Sequence, residues 1–147
     1  MDTRPLPLSL PLNGPHHLGS LADEIHRTYF HRHPPLRVRW GQRIARKRRY
    51  SIRLGSYNHV TTEIRIHPLL NAPHIPAFFI QSVIHHEYLH HVLGPHHNRR
   101  FHAHERQFRY YRESKEWLRR NVFTLLGRKV RRRLPAAPER PPQLALF

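Results

Sequence analysis

The stretch IPAFFIQSVIHHEYLHHVLG, residues 75–94, decides how the chain is read. Phe79, Val83, His86, His90 and Leu93 recur at helical steps of four, three, four and three, which predicts a helix with both histidines on one inward stripe. Gly94 and Pro95 supply its stop. Within it, His86, Glu87 and His90 have the H-E-x-x-H spacing, which on a helix sets two imidazoles one turn apart with a carboxylate beside them, as a zinc-holding helix requires. The chain carries 16 histidines among 147 residues, so the spacing alone proves little and its surroundings must decide.

Upstream, Ser20 followed by Asp23 predicts a helix N-cap, with Leu21, Ile25, Thr28 and Tyr29 forming the apolar stripe of the helix it opens and Pro34 and Pro35 closing it. Tyr50, Ile52 and Leu54 alternate with Ser51 and Arg53, the period of a half-buried strand. A turn-like GSYN at 55–58 leads to a second strand holding Ile64 and Ile66, and the two together predict a hairpin. The segment HPLLNAPHIP, residues 67–76, has three prolines and reads as the loop before the long helix. Downstream, residues 96–121 are helical in character.

Length and charge bound the rest. A chain of 147 residues, 38% hydrophobic, makes one domain with a modest core. The absence of cysteine excludes disulfides, thiolate zinc ribbons and cysteine nucleophiles. No apolar run approaches the length of a membrane helix. The N-terminal residues 1–19 are broken by four prolines and read as a disordered leader, not a signal peptide, which makes the cytoplasm the expected compartment. Residues 20–126 are expected to form the domain, and residues 127–147 a basic, proline-rich tail. A monomer is taken as the default.

With 26 Lys plus Arg against 9 Asp plus Glu, the formal net charge is +17. The clusters RIARKRR at 43–49 and RKVRRR at 128–133 suit phosphate contact along DNA or RNA, so nucleic acid is an expected partner. The alternative is a merely solvated basic face, because no helix-turn-helix, zinc-finger or similar pattern accompanies the charge.

A catalytic zinc needs a third protein ligand and one position left open for water. His96, His97, His102 and His104 all follow the helix, and composition does not choose among them. The remaining histidines (His16, His17, His26, His31, His33, His59 and His74) read as surface residues, and His85 and His91 as neighbours lying off the inward stripe.

From SIRLGSYN through IRIHPLL to HHEYLHHVLG, and on through HNRRFHAHERQFRYY, the chain resembles the SprT-like (Spartan-type) zinc metallopeptidases, in particular their small bacterial members. The likeness covers roughly residues 20–120. The family's closing pattern falls without gaps on His97, Phe101, Glu105, Phe108, Tyr111, Trp117 and Leu118, which makes His97 the implied third ligand, with His96 as its competitor one residue away. Tyr88 stands where a methionine is common, and Asn98, Arg99 and Arg100 replace a small or proline-containing turn. The cysteine zinc ribbon of many relatives is absent.

The resemblance implies an α+β, zincin-like fold: a small antiparallel sheet packed on the helix carrying H-E-x-x-H, with further helices before and after. It implies a Zn2+ held by His86, His90 and His97, peptide or protein as substrate, and Glu87 as general base. Tyr111 or His102 is a candidate donor to the developing oxyanion, although Tyr111 equally suits the core of its own helix. Two other classes stand beside this reading: a non-catalytic nucleic-acid-binding protein with structural zinc, and a zinc hydrolase acting on another bond.

Overall fold

The structure, a computed structural model, describes residues 15–42 and 52–127. The basic clusters at 43–49 and 128–133, most of the expected leader and nearly all of the expected tail lie outside the described residues. Four helices and a small sheet follow in the order α1 (Leu18–Tyr29), β1 (Arg37–Trp40), β2 (Gly55–Asn58), β3 (Glu63–Ile66), a 3-10 turn (Pro68–Leu70), α2 (Ala77–Leu93), α3 (Arg99–Glu105) and α4 (Tyr111–Leu125).

The first helix opens ahead of the expected Ser20 cap. His17 is the cap residue, its Nδ1 accepting from the backbone N–H of Ser20 at 3.1 Å. His16 ties the same entry to the loop after the 3-10 turn through Nε2 and the carbonyl of Ala72, 2.9 Å apart. Leu18, Ala22 and Ile25 form the buried face, whereas Thr28 is exposed. The helix ends before either proline, because Phe30 leaves it to stack on Tyr88 with ring centroids 4.7 Å apart.

The sheet is mixed, not wholly antiparallel, in the order β1-β3-β2. β1 runs parallel to β3, pairing Val38 with Ile64 and Trp40 with Ile66. β2 runs antiparallel to β3, pairing Gly55 with Ile66 and Tyr57 with Ile64. The expected hairpin is present, displaced along the chain: GSYN is itself the strand, and the turn lies at 59–62. Asn58 makes that turn, its Oδ1 accepting from the N–H groups of Val60 and Thr61 at 2.8 and 3.2 Å, as Asx turns do. Ile52 and Leu54 are buried, as their alternation predicts, but they precede the strand.

α2 is the centre of the molecule and packs against α1, β2, β3, α3 and α4. It is enclosed nearly all round: Ile80, Ile84, His85, Tyr88 and Leu89 are as buried as Phe79 and Val83. The inward stripe therefore marks no special face. Each large apolar side chain so buried contributes roughly 1.5–3 kcal/mol.

The crossing of β2 over α2 requires glycine. A Cβ on Gly55 would stand 2.6 Å from Val83 Cγ1 and 3.1 Å from Glu87 Oε2. Val83 is fully buried and has nowhere to retreat. Gly55→Ala is expected to cost about 1–3 kcal/mol, the usual penalty of overpacking, seen as a lower denaturant midpoint. An unchanged midpoint would mean that the crossing is not tight.

Candidate metal centre

α2 carries His86 and His90 one turn apart. It stops at Gly94, whose φ of 99° lies in the region that favours glycine and whose N–H bonds to the carbonyl of His90 at 3.1 Å. The chain then turns through Pro95 to Asn98, which caps α3 by accepting from the N–H of Phe101 at 2.9 Å. These two helix ends hold His97 over α2. The Nε2 atoms of His86, His90 and His97 form a triangle with edges of 3.2, 3.2 and 3.0 Å. Three nitrogens bound at 2.0–2.1 Å around one ion, at near-tetrahedral angles, stand about 3.3 Å apart, so the triangle fits a metal ion. His96 is exposed and lies outside the cluster, as do His102 and His104.

Each ring of the α2 pair is oriented by its other nitrogen. His86 Nδ1–H donates to Glu105 Oε2 at 2.5 Å, and His90 Nδ1–H donates to the carbonyl of Gly94 at 3.0 Å. Both bonds select the tautomer that leaves Nε2 as a lone-pair donor. Burial lowers the basicity of all three imidazoles, and that of His86 falls to about 4 despite the opposing Glu105, so the neutral, ligating form prevails near neutrality. Burial alone would raise Glu105. Its bond to His86 and the nearby Lys115 outweigh burial and hold it at about 2, as a carboxylate. Phe101 floors the site, its ring centroid 4.8, 4.8 and 5.0 Å from those of His86, His90 and His97.

Glu87 is fully buried, and neither carboxylate oxygen has a hydrogen-bond partner. Desolvation pushes its pKa up to about 8, against the pull of Arg53. An orphaned carboxyl of this kind is costly unless something at the site engages it, and it borders an open cleft. That cleft, of about 570 Å³, is lined by Arg53, Tyr57, His59, Glu87, His90, His91, Gly94, Pro95 and His97. His86 is buried, His90 half-buried and His97 exposed, so the triad is open on one side.

Neither candidate oxyanion donor lines this cleft, although the His102 ring lies 6.3 Å from that of His97. Tyr111 lines a separate, smaller cavity with Phe79, Phe108 and Leu118, and His102 Nδ1 faces Glu105 Oε1 at 3.3 Å. The tyrosine in the cleft is Tyr57, whose hydroxyl shares a 2.5 Å hydrogen bond with His91 Nδ1. His91 is thus part of the cleft wall. His85 is fully enclosed, its ring 4.9 Å from Tyr29 and 5.3 Å from Phe30.

Glu105 falls in the closing pattern of the resemblance, and Arg53 and Tyr57 in its SIRLGSYN stretch, but none of the three is given a role by the sequence. Only the i, i+4, i+8 placement of His97, Phe101 and Glu105 hints that they meet.

The fold has solved counterparts. The structure is similar to the metallopeptidase zymogen jannalysin of Methanocaldococcus jannaschii, with a TM-score of 0.56 and 13% identity over 75% of this chain and 91% of that one. It is equally similar to the metallopeptidase zymogen abylysin of Pyrococcus abyssi, with a TM-score of 0.56 and 17% identity over 76% of this chain and 97% of that one. The fold is zincin-like. At these identities the likeness concerns the fold alone. No protein-family model and no curated protein matches the sequence. Among the described residues no helix is long and apolar enough to cross a membrane.

Proposed function

We propose that the chain is a zinc-dependent metallopeptidase of SprT-like type, with His86, His90 and His97 as ligands and Glu87 as general base. The observation that carries this reading is the convergence of three Nε2 atoms on an open cleft beside a buried, unpartnered carboxyl. A structural zinc would take four protein ligands, and among the described residues the cluster has three, which favours catalysis over the non-catalytic reading.

Zinc bound by the triad would supply Lewis acidity and bring a water's pKa to about 7. The protein does the rest. The Glu87 carboxyl, raised to about 8 by burial, would be drawn back to the carboxylate by the charge of an ion held by the triad. Glu87 then takes the water's proton as the water oxygen adds to the scissile carbonyl carbon, and returns it to the amine as the C–N bond breaks. Among the described residues β2 is an edge strand, and its Tyr57 lines the cleft, so that edge suits an extended peptide added as a further strand. Because it lines the cleft, Tyr57 is our candidate for the donor to the oxyanion in place of Tyr111. The net charge of +17 supports recruitment to nucleic acid, where bound proteins would be cut by proximity.

Cleavage of denatured casein by protein loaded with about one zinc per chain tests the reading. Hydrolysis is expected to stop with a chelator, to return with zinc, and to rise when DNA holds both protein and substrate. A zinc-loaded protein that cleaves no polypeptide, with or without DNA, would overturn it.

A further inference from the structure

The cleft is one-sided in charge. Among its lining residues the single acid is Glu87, which is fully buried, and the others are Arg53, four histidines, Tyr57, Gly94 and Pro95. Arg53 is exposed and reaches the cleft in a defined way, since its Nε donates to the carbonyl of Gly55 at 3.2 Å. The bond folds the side chain along the start of β2, where its charge acts on Glu87, His90 and His97. One nitrogen of the guanidinium is thereby spent on the backbone. Among the described residues no carboxylate lies within ion-pair distance of the other two, whereas Arg37, Arg39 and Arg65 gather on Glu63. A planar fork of donors held at the mouth of a cleft matches a carboxylate, which can accept two of its hydrogen bonds at once.

We propose that Arg53 forms an anion subsite beside the histidine triad, so that the cleft selects peptides carrying a carboxylate next to the bond to be cleaved. This rests on the peptidase reading of the same site. The carboxylate comes either from an Asp or Glu side chain or from the peptide's own C-terminus, and both present the same two oxygens.

The test is a set of fluorescent peptides identical except for Glu, Gln or Lys at one position, each as free acid and as C-terminal amide. Binding to the zinc-loaded full chain carrying Glu87→Gln, which prevents turnover, is read by fluorescence anisotropy at physiological salt. Peptides with a carboxylate are expected to bind about tenfold tighter than their neutral partners, the ratio that a charge-assisted hydrogen-bond pair supports. Arg53→Gln should abolish that ratio, and Arg53→Glu should turn it in favour of Lys. Arg37→Gln, which removes the same charge from the opposite edge of the sheet, should leave it intact. A ratio carried by Glu against Gln within the amides identifies the side chain as the source, and one carried by acid against amide identifies the terminus.

Equal binding of acidic and neutral peptides, or a preference that survives Arg53→Gln, overturns the proposal. Peptides that bind through Arg53 yet are never cut by the zinc-loaded wild type would instead remove the peptidase reading and leave the subsite standing.

Discussion

Glu87→Gln is expected to lower peptide hydrolysis by about 10²- to 10⁴-fold, the range that a positioned general base supplies, while about one zinc per chain is retained. The substitution is nearly isosteric, which matters because β2 lies so close above this side chain. An ideal Cβ on Gly55 would already stand 3.1 Å from Glu87 Oε2 and 3.2 Å from Glu87 Cγ, so a larger side chain would push the strand away. Glutamine fits the space and leaves the three imidazoles untouched. It has no basic oxygen to accept the proton of water, and so the loss falls on kcat. Stability should not fall with it. The carboxyl is buried without a hydrogen-bond partner, and exchanging a group that must be desolvated when charged for a neutral amide removes part of that cost. Thermal unfolding and zinc content measured on the same preparation separate the cases. A variant that keeps more than about a tenth of wild-type activity would exclude Glu87 as the base, because even a modest base contributes more than that.

What the sequence makes legible is what local chemistry determines. α2 is readable because an apolar run ends at Gly94 and Pro95, and the structure closes the helix there with a backbone conformation that favours glycine. Its periodicity is less informative than it looks. A helix enclosed by α1, β2, β3, α3 and α4 buries His85 and Tyr88 as deeply as His86, so no stripe distinguishes ligand from neighbour. The hairpin is visible as two strands, but GSYN contains a glycine and an asparagine and reads as the turn. The glycine is there for the crossing over α2, and the asparagine alone makes the turn that follows. β1 escapes because it has four residues, two of them exposed arginines, and pairs in parallel with a strand 26 residues further on in register. Histidine is not among the preferred N-cap residues, whereas serine is, which is why His17 is passed over for Ser20. The cleft wall is the least legible part. Tyr57 and His91 lie 34 positions apart and meet only once β2 is laid across α2.

The sharpest separation between motif and accident lies in the pair His96 and His97. His97→Ala is expected to weaken zinc binding by more than the about 10- to 100-fold that follows loss of an outer partner, and His96→Ala to leave it unchanged. Neighbours in sequence differ this much because the turn between α2 and α3 is fixed at both ends. Gly94 ends α2 and turns its carbonyl onto His90, and Asn98 starts α3 with its side chain on the N–H of Phe101. Between these two anchors His97 is the residue whose Nε2 comes to 3.0 Å from that of His90, with Phe101 beneath the ring. Bringing His96 to the same place would slide α3 by one residue, drawing Phe101 from beneath the three rings and Glu105 from its bond to His86. The core would thus resist the substitute ligand, since both side chains are buried where they stand. Zinc titration against a competing chelator measures both variants on one scale. Loss with His96→Ala and retention with His97→Ala would reverse the register, and the cluster of three nitrogens would then not be the metal site.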